Sequence, residues 1–331
     1  MDHASKVEQE INFFKDMDIN ALPEIFSYWA NKHLVEFLKQ AFDEPYVINI
    51  FANELAASVQ ASGNPTIVSL GAGYAEIEEM VAERMLSMGV TNFRFECLEL
   101  SHFLIERANE RLTGKPAAPH IAFIEVDLTT WKPDRPFGAV FAHQSLHHIE
   151  GLEHVFDQIR DHLAPGGSFV TSDMIGRNGH MRWPETLSII NALWSLAPDL
   201  WKNNRPLARF EQEFINHDCS NHGFEGVRAQ DILPLLVERF HFHKFSAWGG
   251  IIDPFTDRAF GHNLLSANEF DRQFIDTVWE TNRTLVQLGA IKPTQLVAVM
   301  KNEPCTLISS DDLDPLTCVR QANCVEPAGA I

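Results

Sequence analysis

Val68-Ser69-Leu70-Gly71-Ala72-Gly73-Tyr74-Ala75-Glu76 is the stretch that decides the fold. An apolar run over residues 67–70 enters a turn of small residues, and helical spacing begins at Glu76. Small residues at a strand-to-helix turn let a ligand approach the backbone closely at the first crossover. A dinucleotide would need Gly-x-Gly-x-x-Gly, with its pyrophosphate on the helix N-terminus. Counted from Gly71, the third glycine falls on Glu76, whose carboxylate would face and repel phosphate. S-adenosylmethionine (SAM) has no phosphate and carries a sulfonium cation, so it tolerates that acid. A tight turn with no ligand is the remaining reading, because Gly-x-Gly alone is a weak signal.

Outward from this turn, apolar strands are expected over residues 67–70, 93–98, 121–126, 139–142 and 168–172. Helical segments over 76–87, 103–112 and 152–163 separate them. Nearly all-apolar strands alternating with helices indicate a doubly wound α/β fold, its mostly parallel sheet covered on both faces. Before the first strand, residues 1–62 read as an N-terminal helical cap, with Leu34, Phe37, Leu38 and Ala41 at helical spacing. The breaker Ser62-Gly63-Asn64-Pro65 ends it. The α/β domain is expected over 63–302. Residues 176–225, rich in Trp, Asn, His and Pro, break its rhythm as a lid inserted after the fifth strand. Such an insertion would stand above the carboxyl edge of the sheet, where ligands bind. Strands at 241–248 and 296–301 follow, with a long helix at 267–288 between them. Residues 303–331 are acidic and lack apolar periodicity, so they are expected to form a poorly ordered tail.

The bulk composition narrows the partners. The chain has 331 residues, of which 45% are hydrophobic and 21% charged, enough for a core without disulfides or metals. A net charge of −19 repels phosphate backbones and anionic lipid, so neither nucleic acid nor a membrane is expected as partner. A small molecule suits the charge better, and assembly into a homo-oligomer stays open. The cysteine number, five, is odd, and the spacing matches no zinc pattern. Free thiols, an acidic N-terminal stretch and no apolar run near the ~18 residues of a membrane span point to the cytoplasm.

Two acids complete the pattern. Glu99 ends 95–99 and can accept hydrogen bonds from both hydroxyls of a ribose. Asp127 ends 123–127 and can accept from an adenine amino group, with Leu128 beside it to pack on the ring. These residues resemble the class I SAM-dependent methyltransferase family. In that family a Gly-x-Gly-x-Gly loop wraps the amino-acid part of SAM, and Gly71, Gly73 and Ala75 match it, Ala75 departing by one methyl. Glu99 matches the ribose-binding acid and Asp127 the adenine-binding acid. Ala142-His143-Gln144-Ser145-Leu146-His147-His148 resembles the segment that passes the methyl donor. Leu163-Ala164-Pro165-Gly166-Gly167 resembles the turn before the fifth strand. The resemblance implies a seven-stranded sheet with an antiparallel last strand. It also implies SAM as cofactor, S-adenosylhomocysteine as its product, and a cofactor site of Gly71, Ala72, Gly73, Glu99, Leu100, Asp127, Leu128 and His143.

Methyl transfer is an in-line displacement that rests largely on positioning and desolvation, so no universal catalytic residue carries over. Among 15 histidines, His147 and His148 are best placed, directly after the fourth strand. A neutral His147 there would take a proton from a hydroxyl or amine, although such a pair also serves as a helix contact. His180 and Asp173 are second candidates near the substrate mouth, and Arg258 and His262 are candidates at its rim. No metal site is expected, because no carboxylate accompanies Gln144, His147 and His148. Lid aromatics such as Trp183, Trp194 and Trp201 suit either a pocket wall or core. The expected reaction is methylation of an O or N nucleophile on a small-molecule acceptor, natural products included. A nicotinamide-dependent oxidoreductase and a SAM-fold binding or scaffold protein without turnover are the alternatives.

Overall fold

The computed structural model describes residues 22–221 and 223–320. Helix α1 (Glu24–Trp29), a π turn (Ala30–Leu34) and α2 (Val35–Phe42) form one run that buries Ile25, Trp29, Phe37 and Leu38. Helix α3 (Val47–Ser62) buries Phe51, Ala52 and Leu55 and stops at Gly63, whose φ of +66° is the left-handed cap that glycine adopts without strain. The remaining cap residues, 1–21, lie outside the described residues.

The α/β order then follows. It runs β1 (Thr66–Leu70), α4 (Glu76–Ser87), β2 (Arg94–Glu99), α5 (His102–Leu112), β3 (Ile121–Glu125), β4 (Phe137–His143), α6 (Leu152–His162) and β5 (Leu163–Met174). Helix α7 (Pro184–Leu196) and a hairpin of β6 (Asn203–Asn204) and β7 (Arg209–Phe210) form the inserted segment. After it come α8 (Ala229–Arg239), β8 (His241–Trp248), α9 (Asp253–Thr256), α10 (Glu269–Gln287), β9 (Gln295–Lys301), β10 (Ile308–Ser309) and α11 (Pro315–Cys318).

The main sheet is ordered β10-β8-β9-β5-β4-β1-β2-β3, with β9 antiparallel to both β5 and β8. Successive side chains of a strand face opposite sides. So Val68, Val140 and Ala142 join one core with Phe156, Ile159 and Leu236, while Ile67, Ala139 and Phe141 join a second with Phe51, Leu55 and Val81. That two-sided burial is why the strands read as continuous apolar runs. Strand β1 pairs with β2 on one side and β4 on the other, so chain order reverses there. Ligands of doubly wound sheets bind at that crevice, outside the carboxyl ends of the strands.

Two expectations change. The sheet has eight strands rather than seven, because β10 adds a parallel pair to β8. That strand comes from the segment expected to be poorly ordered, and residues 303–320 are in fact built into the fold. Ser310 Oγ meets Ser246 Oγ and Phe37 O, each at 2.6 Å, and Arg283 holds Asp311 through two bonds of 2.5 and 2.9 Å. Leu313 and Cys318 are buried. A few anchoring residues order this segment without the periodicity of a long element; 321–331 lie outside the described residues. No helix among the described residues is long and apolar enough to cross a membrane. Of the lid aromatics, Trp194 and Trp201 are core, Trp194 packing on Phe255 and Phe260.

Beneath the decisive turn, Glu78 of α4 is buried and hydrogen-bonded by Ser69 Oγ at 2.6 Å. Burial raises its pKa from 4.5 to about 7. The folded chain therefore keeps a proton there that the unfolded chain releases, so this residue's stabilising contribution is full below about pH 4.5 and is lost as pH rises through about 7. Glu78→Gln, which keeps the shape and the hydrogen-bonding capacity, is expected to gain about 3 kcal/mol at pH 8 and little at pH 4. Urea denaturation across that range checks it; an unchanged slope with pH would show that another group titrates.

Candidate active site

The turn after β1 is held from below and from both sides. Gly71 N–H donates to Leu98 O at 2.9 Å, and Ala72 N–H to the same oxygen at 3.3 Å. Gly71 has φ +61°, and a Cβ on it would stand 2.9 Å from Ser145 Cβ. Gly73 has φ +55°, and its N–H donates to Glu99 Oε2 at 2.8 Å. Glu99 Oε1 accepts from Ser101 N–H at 2.9 Å. So the acid at the end of β2 ties the glycine turn to the next helix, while burial pushes its pKa up. Ala75 takes φ +52° and is fully buried, so alanine fills the position where the resembled motif has glycine.

Asp127 stands two residues beyond β3, where its Oδ1 accepts from Thr129 N–H (2.8 Å) and Oγ1 (2.7 Å). Leu128 is half-buried against the core. Leu100 follows Glu99 and is half-buried. His143 ends β4, with its ring 5.5 Å from Phe51. Burial lowers its pKa to about 4, so it is neutral near pH 7, and its Nδ1 is buried without a hydrogen-bond partner. A neutral imidazole with an unsatisfied nitrogen at a strand's carboxyl end is what a polar ligand would complete.

A second group forms behind the turn. Asp173, fully buried at the end of β5, accepts from Ser145 N–H (2.9 Å), Leu146 N–H (2.7 Å) and Met174 N–H (2.8 Å). Its Oδ1 lies 2.6 Å from His147 Nδ1. Ser145 Oγ donates to Leu70 O at 2.7 Å, which joins this turn to the glycine loop. Burial works against a charged His147, but Asp173 and Glu225 outweigh it and hold its pKa well above that of a free imidazole. The neutral base expected at His147 is therefore corrected: between two carboxylates the ring carries its proton.

Glu225 is the residue that sequence reasoning missed. Its Oε1 lies 2.5 Å from His180 Nε2 and 3.6 Å from His147 Nε2, and its Oε2 lies 3.7 Å from His148 Nε2. The two ends of the inserted segment are laced together, which brings these residues into one place. Gly179 N–H donates to Gly226 O at 2.9 Å, and Asn178 and Gln230 exchange bonds of 3.1 and 3.3 Å. Arg228 then fixes the segment to α6 by a two-pronged pair with Glu153, at 2.5 and 2.7 Å. Glu225 thus supplies the carboxylate whose absence from the local sequence argued against a metal. Arg258 is exposed after α9, and His262 sits in the single turn Gly261–Asn263. A surface cavity of about 580 Å³ lined by Val286, Leu288, Asp311 and Leu316 shares no residue with either group.

This fold and glycine turn define a Rossmann-like methyltransferase of class I. Comparison with known proteins agrees, since residues 67–167 match the family model described as "Methyltransferase domain". The chain is 25% identical over 214 residues to the trans-aconitate 2-methyltransferase of Rhizobium etli, covering 58% of this chain and 78% of that one. It is 29% identical over 136 residues to the enzyme of that name from Rhizobium leguminosarum bv. trifolii, covering 40% and 49%. Among solved structures, the geranyl diphosphate C-methyltransferase of Streptomyces coelicolor A3(2) matches with a TM-score of 0.44 and 13% identity, over 77% of this chain and 75% of that one. Residues 67–167 thus carry a methyltransferase domain of the class I, SAM-dependent kind. The nicotinamide-dependent alternative is set aside, and Glu76 indeed opens α4 where a pyrophosphate would have to sit.

Proposed function

We propose that the chain moves the SAM methyl group to an oxygen or nitrogen of a small acceptor held between the carboxyl edge of the sheet and the lid of residues 176–225. Gly71, Ala72 and Gly73 wrap the amino-acid end of SAM. Glu99 takes the ribose hydroxyls. Leu100, Asp127 and Leu128 receive the adenine, and His143 borders the donor end. Bound there, SAM would supply the methyl group by in-line displacement, the acceptor's bond forming as the S–C bond breaks and S-adenosylhomocysteine keeping the electron pair, and the proton of a hydroxyl or amine acceptor would pass to the His180–Glu225 pair. The carrying observation is the convergence of His147, His180 and Glu225 from the β4 turn and the two ends of the lid. Such a cluster is suited to bind and activate a nucleophile, which supports turnover over a binding or scaffold role. Relatives named for trans-aconitate, a small organic acid, favour an oxygen acceptor.

The test is S-adenosylhomocysteine formation with a panel of small organic acids, phenols and amines. His180→Ala is expected to lower kcat about 100-fold or more while leaving the Kd for SAM within twofold. An unchanged kcat would remove His180 from the acceptor end. SAM binding with no transfer to any acceptor would favour the scaffold reading.

A further inference from the structure

We infer that His147, His180 and Glu225 form a binding site for one divalent transition-metal cation. Its placement at the acceptor end rests on the reading above, but the site itself does not. The donor atoms of the three residues all lie within 4.8 Å of one another, although they come from three separate stretches of chain. Ligand bonds of about 2.0–2.2 Å in a tetrahedral arrangement put two donors about 3.4 Å apart. His147 Nε2 and Glu225 Oε1, at 3.6 Å, already have that spacing. His180 Nε2, at 2.5 Å from the same oxygen, has to open by about 1 Å. His180 follows Gly179 on a single helical turn, so a short segment carries that shift.

An independent feature points the same way. Imidazole ligands almost always give their other nitrogen to a carboxylate or carbonyl, which fixes ring and tautomer. His147 Nδ1 meets Asp173 Oδ1 at 2.6 Å, and three backbone N–H groups hold Asp173 in turn. That arrangement aims Nε2 of His147 at Glu225. His148 Nε2 flanks the second oxygen of Glu225 at 3.7 Å. Two imidazoles and one carboxylate suit zinc, iron(II), cobalt or nickel rather than magnesium or calcium. Three protein ligands leave a coordination position for an oxygen of the acceptor, and a cation there lowers the pKa of a hydroxyl. Ligation needs deprotonated donors, so binding releases the proton that His147 otherwise shares with the carboxylates.

The test uses the full chain, stripped with a chelator and titrated with cobalt(II) and zinc(II). One equivalent of cobalt with visible d–d absorption bands and no thiolate band is expected, with micromolar or tighter binding of zinc by calorimetry. Glu225→Gln and His180→Ala are each expected to weaken binding at least tenfold while still binding SAM, which shows that they fold. No cobalt signal from a chain that still binds SAM would overturn the proposal. So would full metal affinity in both variants, because the ion would then sit elsewhere. Metal bound at one equivalent without methyl transfer to any acceptor would sink the acceptor reading instead and leave the metal site standing.

Discussion

Asp173→Ala is expected to destabilise the folded chain by about 3–5 kcal/mol and to abolish methyl transfer. The carboxylate is fully buried and serves four partners: the N–H groups of Ser145, Leu146 and Met174, and the ring of His147. Truncation leaves three buried donors unpaired, each a cost of about 1–3 kcal/mol, and strands a charged imidazole beside Glu225 alone. Asp173→Asn keeps the shape but loses the charge opposite His147, so its loss should be smaller in stability and still large in kcat. Urea denaturation at pH 7 together with single-turnover methyl transfer separates the two effects. A loss under about 1 kcal/mol for the alanine variant would show that the β4 turn stands without its acid.

Gly71→Ala and Gly73→Ala are expected to fail in different ways. At Gly71 the added methyl meets Ser145 Cβ at 2.9 Å, and the backbone is left-handed at φ +61°. Strain of about 1–2 kcal/mol adds to a clash that pushes the β4 turn off the glycine loop. SAM affinity should fall at least 100-fold, with a lower melting temperature. At Gly73 nothing lies within 4 Å of the added methyl, so only the strain of φ +55° remains in the protein itself. That variant should melt within a few degrees of the parent and still lose SAM affinity at least tenfold, because the methyl would occupy the space proposed for the cofactor. Calorimetric titration of both variants checks this. Equal melting temperatures would remove the packing argument for Gly71, and unchanged affinity in Gly73→Ala would move the cofactor off the loop.

The doubly wound core was legible because its signals are local. Residues 67–70 are apolar on both faces, and each strand end carries its turn residues within a few positions. The positions of Glu99, at the end of β2, and Asp127, two residues beyond β3, were legible for the same reason, since each follows directly on an apolar run. The place of His147 after the fourth strand was legible, but its charge was not, since that depends on Asp173 and Glu225, which only folding brings near it. Glu225 lies in a Gly-Phe-Glu-Gly stretch without periodicity, and its partner His180 stands on the far side of an inserted segment. The lacing of Gly179 to Gly226, with the paired bonds of Asn178 and Gln230, joins them. The C-terminal segment misled through its composition. Its acidic residues suggested solvent, whereas Asp311 takes Arg283 and Asp314 caps α11.

The position of β10 bears on how the open edge of the sheet is finished. An open strand edge presents a row of unpaired N–H and C=O groups that invites pairing with another chain. Without the segment after Asn302, the eight residues of β8 would form such an edge, broad enough to template a neighbour. Two residues of β10, followed at once by the turn at Ser310–Asp312 that Arg283 grips, occupy part of that row and bend away from it. This stretch therefore acts as a selvedge: it covers part of the sheet edge that would otherwise lie open to another strand.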